Sequence, residues 1–181
     1  MNSNLIITIG REYGTGGREI GQKLALRLGV PFYDRELITR AAKKTGFDEK
    51  LFEQLDKRAT NSFLYSLTMF GSVGLNGMSL TDQLYLAQSN IIREMAEDSS
   101  CVIVGRCADH VLRDFPNKFD FFIHGSIEDR VKRVQTCGDY VIEGKTPEAA
   151  LEKMDKQRST YYNYYTGKVW GKCCLLYTSP S

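Results

Sequence analysis

Between Leu5 and Leu28 the sequence runs from a β-branched stretch, through clustered glycines, into a helical repeat, and few architectures accept that order. Leu5-Ile6-Ile7-Thr8-Ile9 is apolar on both faces, as a strand buried in a parallel sheet must be. The loop Gly10-Arg11-Glu12-Tyr13-Gly14-Thr15-Gly16-Gly17 follows. Ile20, Leu24 and Leu28 then recur every four residues, with Lys23 and Arg27 turned outward and Gly29 as the stop. That spacing predicts an amphipathic helix that packs those three apolar residues inward.

The same alternation continues. Val30-Pro31-Phe32-Tyr33 reads as a short second strand, followed by helices over about 35–44 and from Glu49 to Arg58. The glycine-interrupted stretch Phe63 to Leu80 predicts irregular structure, and Thr81 to Glu97 a helix with Leu84, Ala87, Ile91, Ile92 and Met95 on one face. Cys101-Val102-Ile103-Val104 is an apolar strand ended by Gly105-Arg106, and Phe119 to Ile123 is another. Ser126-x-x-Asp129 is a capping box opening a helix from Ile127 to Val134. Thr146-Pro147 starts a helix to about Tyr161. Strands separated by helices specify an α/β fold with a parallel sheet covered on both faces.

Composition narrows the function classes. The chain has 181 residues, 42% hydrophobic and 25% charged, as globular domains do. With 24 Lys plus Arg against 22 Asp plus Glu, the net charge of +2 gives no field aimed at nucleic acid or an anionic membrane. No apolar run is long enough to span a bilayer. Met1-Asn2-Ser3-Asn4 has no basic region of a secretory signal. The five cysteines lack paired spacing apart from Cys173-Cys174, which argues against a disulfide framework and against a zinc site. A reduced, cytoplasmic chain is the expectation.

Ligands of open α/β sheets bind at the carboxyl ends of the strands. Those ends carry the glycine loop, Asp34-Arg35, Gly105-Arg106 and His124. A strand, glycine loop and helix N-terminus cradle phosphate through backbone N–H groups and the helix dipole. The loop departs from G-x-x-x-x-G-K-[ST]: Gly17 stands where the lysine would be, and Arg18-Glu19 where the hydroxyl would be. A dinucleotide fold is the rival, since Gly14-x-Gly16 opens a helix and Asp34 follows about twenty residues on, but Glu19 occupies the third glycine position. Arg40, Arg106, Arg130, Arg133 and Arg158 favour phosphoryl transfer, because a guanidinium is always charged and its fork matches phosphate oxygens. Arg106, directly after four apolar residues, is the least plausible as a mere surface group. His110 and His124 have no partner at ligand spacing, Cys101 and Cys107 suit a small core, and Tyr161 to Tyr165 reads as packing.

Four blocks make the pattern specific: Ile7 to Gly21, Leu28-Gly29-x-Pro31-Phe32-Tyr33-Asp34-Arg35-Glu36-Leu37-Ile38, Val102 to Asp109, and Arg158-x-x-Tyr161 through Trp170. Together they resemble the cytidylate kinase-like family, a branch of the P-loop nucleoside monophosphate kinases, over Leu5 to Gly171. The resemblance implies a three-layer P-loop fold and transfer of the ATP γ-phosphate, with Mg2+, to CMP or dCMP. It implies ATP binding by Arg11, Gly14, Thr15, Gly16, Gly17 and Arg18, and catalysis by Arg18, Arg106, Arg130 and Arg133. Acceptor binding would fall to Asp34, Arg40, Arg106, Asp155 and Arg158, and 135–145 would be a lid. Val104 stands where an aspartate often precedes Gly-Arg. Three outcomes stay open for the altered loop: Arg18 or Arg11 substitutes for the lysine, Asp34 or Glu12 holds the metal, or the fold binds nucleotides as a regulatory module without turnover. Residues 1–173 are read as one domain. Residues 174–181 resemble a translated adapter sequence, so a final strand and helix of the family's sheet are expected to be missing.

Overall fold

The computed structural model describes residues 4–34, 80–137, 140 and 146–172. Strand β1 (Ile6–Arg11) leads through the glycine loop into helix α1 (Gly17–Leu28) and strand β2 (Phe32–Tyr33). Helix α2 (Leu80–Asp98), strand β3 (Cys101–Val104), the short helix α3 (Ala108–Val111), strand β4 (Lys118–Ile123), helix α4 (Ile127–Thr136) and helix α5 (Pro147–Thr166) follow. The four strands lie in the order β2-β3-β1-β4, every pairing parallel. The expected helices at 35–44 and 49–58, the stretch 63–80 apart from Leu80, Arg40, lid residues 138–139 and 141–145, and the tail 174–181 lie outside the described residues.

The β-branched runs decide the core. β1 contributes Ile6, Ile7, Thr8 and Ile9 and β3 contributes all four of its residues as buried positions. Alternate side chains feed opposite faces. Ile6, Cys101 and Ile103 pack with Ile92 and Ala96 of α2 and with α3, whereas Ile7, Ile9, Val102 and Val104 pack with Leu24 and Ala25 of α1. Each fully buried aliphatic side chain contributes about 1.5–3 kcal/mol. β4 is one of the two edge strands among the described residues, and Phe119 and Phe121 on it remain exposed. Among the described residues no helix is long and apolar enough to cross a membrane.

The caps read from sequence hold. Ser126 Oγ accepts from Asp129 N at 3.1 Å, and Thr146 Oγ1 accepts from Ala149 N at 3.2 Å. The buried stripe of α1 differs from expectation. Gly17, Gly21 and Ala25 face the sheet, while Ile20 and Leu28 are 45% and 44% exposed. The smallest side chains let the helix approach closely, so its glycines and Ala25 turn inward with Leu24 packed beside them, while Ile20 and Leu28 do not. On α2 the stripe likewise rotates to Leu84, Gln88, Ile92 and Ala96.

A side chain at residue 21 has no room: its Cβ would lie 2.8 Å from Val104 Cγ2 and 3.0 Å from Phe32 Cε2. Gly21→Val would gain less than about 1 kcal/mol of helix propensity against an overpacking cost of about 1–3 kcal/mol. A lower urea midpoint is therefore expected, while Ile20→Ser shifts it little. Similar midpoints for Gly21→Val and wild type would contradict this close approach.

Candidate active site

The glycine loop leaves the sheet from β1, beside β3. α1 departs to one face of the sheet and α3 to the other. Their divergence opens a crevice at the carboxyl ends of β1 and β3, the place where such sheets bind ligands. Gly14 (φ 83°) and Gly16 (φ 76°) take left-handed conformations that an L-side chain adopts only at a cost. Gly16 caps α1 and, having no side chain, makes no cap hydrogen bond to the first turn. That end of the helix is electropositive and faces the loop.

Helices α4 and α5 hold the first half of the loop. Asp155 Oδ1 accepts from Tyr13 N at 2.7 Å, and Arg130 Nε donates to Tyr13 O at 2.8 Å. One peptide unit on each side of Tyr13 is thereby bound, and Arg130 and Asp155 are themselves ion-paired. Glu12 extends the network to Arg130 (3.4 Å), Gly125 N (3.1 Å) and His124 (3.5 Å). Burial pushes the Asp155 carboxyl above its usual range, while Tyr13 N–H, Arg130 and Arg158 pull the other way. Gly14 fits against the Arg130 carbonyl, Val134 and Leu151, so the loop packs directly on both helices.

A cavity of about 140 Å³ opens at the carboxyl ends of β1, β3 and β4. Arg11, Arg106, Arg158, Phe122, Tyr161 and Trp170 are among its walls. Arg106 reaches it from an unusual turn: Gly105, Arg106 and Cys107 all have positive φ, at 82°, 57° and 55°. The turn is pinned by Gly105 N to Ile9 O at 3.1 Å and Ala108 N to Gly105 O at 3.2 Å. The Arg106 guanidinium lies 5.7 Å from the Tyr161 ring centre, within cation–π range. Arg158 stacks 5.1 Å from the Tyr13 ring and donates to Arg11 O at 3.0 Å. Beneath the cavity, Thr8 donates to Asp120 at 2.6 Å, Asp120 pairs with Lys118, Lys118 donates to Asp109 O, and Tyr162 donates to the Asp109 carboxylate at 2.6 Å.

The expected site residues therefore fall into groups. Arg11, Arg106 and Arg158 converge on the cavity. Arg18 pairs with the buried Asp34 at 2.8 Å. Arg133 pairs with Glu19, and its guanidinium lies close against Gly16. Arg130 and Asp155 are engaged with Tyr13, and Thr15 Oγ1 donates to Glu12 O at 2.9 Å. Among the described residues no three His, Cys, Asp or Glu side chains gather as a metal cluster, and the position after Gly17 carries a guanidinium in place of a hydroxyl. Cys101 and Cys107 are buried, as expected of core cysteines, and burial raises the Cys101 thiol to about 11. Sequence reasoning missed Phe122 and Trp170 as walls. Their edge-to-face contact (5.0 Å) joins residues with no shared local pattern.

A three-layer α/β sheet whose glycine loop opens onto converging arginines has the layout of a kinase-like fold. The chain belongs to the cytidylate kinase-like family, whose model matches residues 6–177. No curated protein matches it. A crystal structure of an uncharacterized protein from Eubacterium ventriosum is similar at 31% identity and a TM-score of 0.68, over 97% of this chain and 87% of that one. Shikimate kinase from Bacteroides thetaiotaomicron aligns at 17% identity and a TM-score of 0.47, over 88% and 82% of the two chains. A gluconokinase from Sinorhizobium meliloti aligns at 16% and 0.45, over 87% and 76%.

Proposed function

We propose that the protein is a nucleoside monophosphate kinase that transfers the γ-phosphate of ATP, taken as its magnesium complex, to CMP or dCMP. The observation that carries this reading is the convergence of Arg11, Arg106 and Arg158 on one cavity next to a glycine-capped helix N-terminus. Donor phosphates would lie on the N–H groups from Gly14 to Arg18, and the acceptor phosphate between Arg106 and Arg158. An acceptor phosphate oxygen attacks the γ-phosphorus in line, the bond from that phosphorus to the β–γ bridging oxygen breaks, and ADP leaves with the electron pair. No covalent enzyme intermediate forms; positioning and charge stabilisation supply the catalysis. In this reading Asp34 acts through Arg18, and Arg130 and Asp155 act through Tyr13, as positioning residues. Arg133 meets the donor from α4, and Arg40 grips the acceptor. Small nucleotides are the partners, without nucleic acid or membrane, in the cytoplasm.

Glycine at 17 and arginine at 18 favour a second reading, a regulatory module that binds nucleotides without turnover. A coupled assay of ADP production with each nucleoside monophosphate separates the two. ADP release with CMP or dCMP above every other acceptor is expected. Calorimetric binding of ATP and CMP with no ADP release would favour the module.

A further inference from the structure

The loop lacks a lysine, and the aliphatic stem of an arginine runs through the space a side chain at residue 17 would enter. A Cβ on Gly17 would lie 2.8 Å from both Cβ and Cγ of Arg11. The Arg11 stem thus already runs along the direction such a side chain would take. Its guanidinium continues to Gly105, where an added Cβ would collide with Nη1. Gly17 and Gly105, one at each end of this path, leave the stem and the head room to pass. Arg11 therefore spans from the start of α1 to the end of β3, across the crevice between β1 and β3, and it lines the cavity with Arg106 and Arg158. Its backbone is fixed from both sides: Arg11 pairs with Ile123 in the sheet, and its carbonyl accepts from Arg158 at 3.0 Å.

Two other arginines approach the loop. Arg18 Nε is held by Asp34 at 2.8 Å, and Arg133 approaches Gly16 from α4 while paired with Glu19. Resting on the phosphotransfer reading, we propose that Arg11 is a catalytic residue that replaces the loop lysine, gripping the β- and γ-phosphates of the donor from the end of β1. A planar fork there offers two parallel N–H donors to two phosphate oxygens, a fixed bidentate geometry that a lysine point charge lacks. It would stabilise the charge that gathers on the bridging oxygen as the bond to the γ-phosphorus breaks.

Three variants test this. Arg11→Met keeps the stem and removes the charge, Arg11→Lys keeps a charge, and Arg11→Ala combined with Gly17→Lys moves the charge to the loop. Arg11→Met is expected to lower kcat/KM for ATP by about 100-fold or more, the usual loss when one such donor is removed. CMP binding measured by calorimetry without ATP should stay within about threefold, less than the loss of one charged contact would cause. Arg11→Lys should retain more activity than Arg11→Met, and the combined variant more than Arg11→Ala alone. A change in kcat/KM for ATP of less than about threefold in Arg11→Met, or a loss confined to CMP binding, would overturn the assignment. Should the wild type turn over no acceptor, the phosphotransfer reading fails and binding decides Arg11 alone. Weaker ATP binding by Arg11→Met with AMP binding unchanged then supports its place at the outer phosphates. Equal losses for ATP and AMP, or no ATP binding by the wild type, overturn it.

Discussion

Arg106→Ala is expected to lower kcat/KM for the acceptor by about 100-fold, as loss of a preorganised charged donor does. Arg133→Ala should cost far less at the acceptor. The two arginines look alike in sequence but are held differently. Arg106 leaves a strand whose residues are fully buried, on a turn pinned by two backbone hydrogen bonds, and its head is set over Tyr161 inside the cavity. Arg133 is on α4, partly exposed, and its partner Glu19 is on α1 at the donor side. Steady-state kinetics with CMP varied at saturating ATP is the measurement, with thermal midpoints to show that both variants fold. Equal and small effects would contradict the placement of Arg106.

Arg130→Ala should produce the largest loss of stability. The Arg130 side chain is 9% exposed and that of Asp155 17%. Breaking a buried pair by removing one partner costs about 3–5 kcal/mol, because the other charge is left stranded. For a chain of this size that corresponds to a fall in Tm of roughly 6–20 °C. The pH dependence has a definite sign. The Asp155 carboxyl is already raised by burial, so the folded state binds its proton more tightly than the unfolded chain does. Without Arg130 the rise is larger, and the deficit of the variant should shrink as the pH is lowered through the acid range. Calorimetric scans of both proteins at several pH values check this. A Tm within about 2 °C of wild type at neutral pH would show that the pair does not hold the loop.

The local parts of this molecule were legible in the sequence. β1, the glycine loop, β3, β4 and the capped starts of α4 and α5 are written in runs of a few neighbouring residues, and hydrophobic period and cap chemistry are local signals. The inward face of α1 was not legible, because Gly17, Gly21 and Ala25 carry almost no hydrophobic signal, while the more apolar Ile20 and Leu28 stay half-exposed. The distinct parts of Arg130 and Arg133 were hidden for another reason. They sit one turn apart on α4, and what separates them is Tyr13, 117 residues from Arg130, and Glu19, 114 residues from Arg133. Asp155 likewise finds Tyr13 across 142 residues. The four-residue helix α3 was also missed, being too short to show a period. The resemblance named residues around the site, and only the fold shows which of them pair with which.

The bend that carries Arg106 has a thermodynamic consequence for the whole domain. Two residues with side chains follow Gly105 in a left-handed conformation, a state that costs of order 1–3 kcal/mol for each such residue. A glycine at either place would relax the bend. The chain thus gives up a measurable share of its folding free energy to keep one guanidinium fixed in orientation, and under the proposed function little reorganisation would remain when phosphate enters.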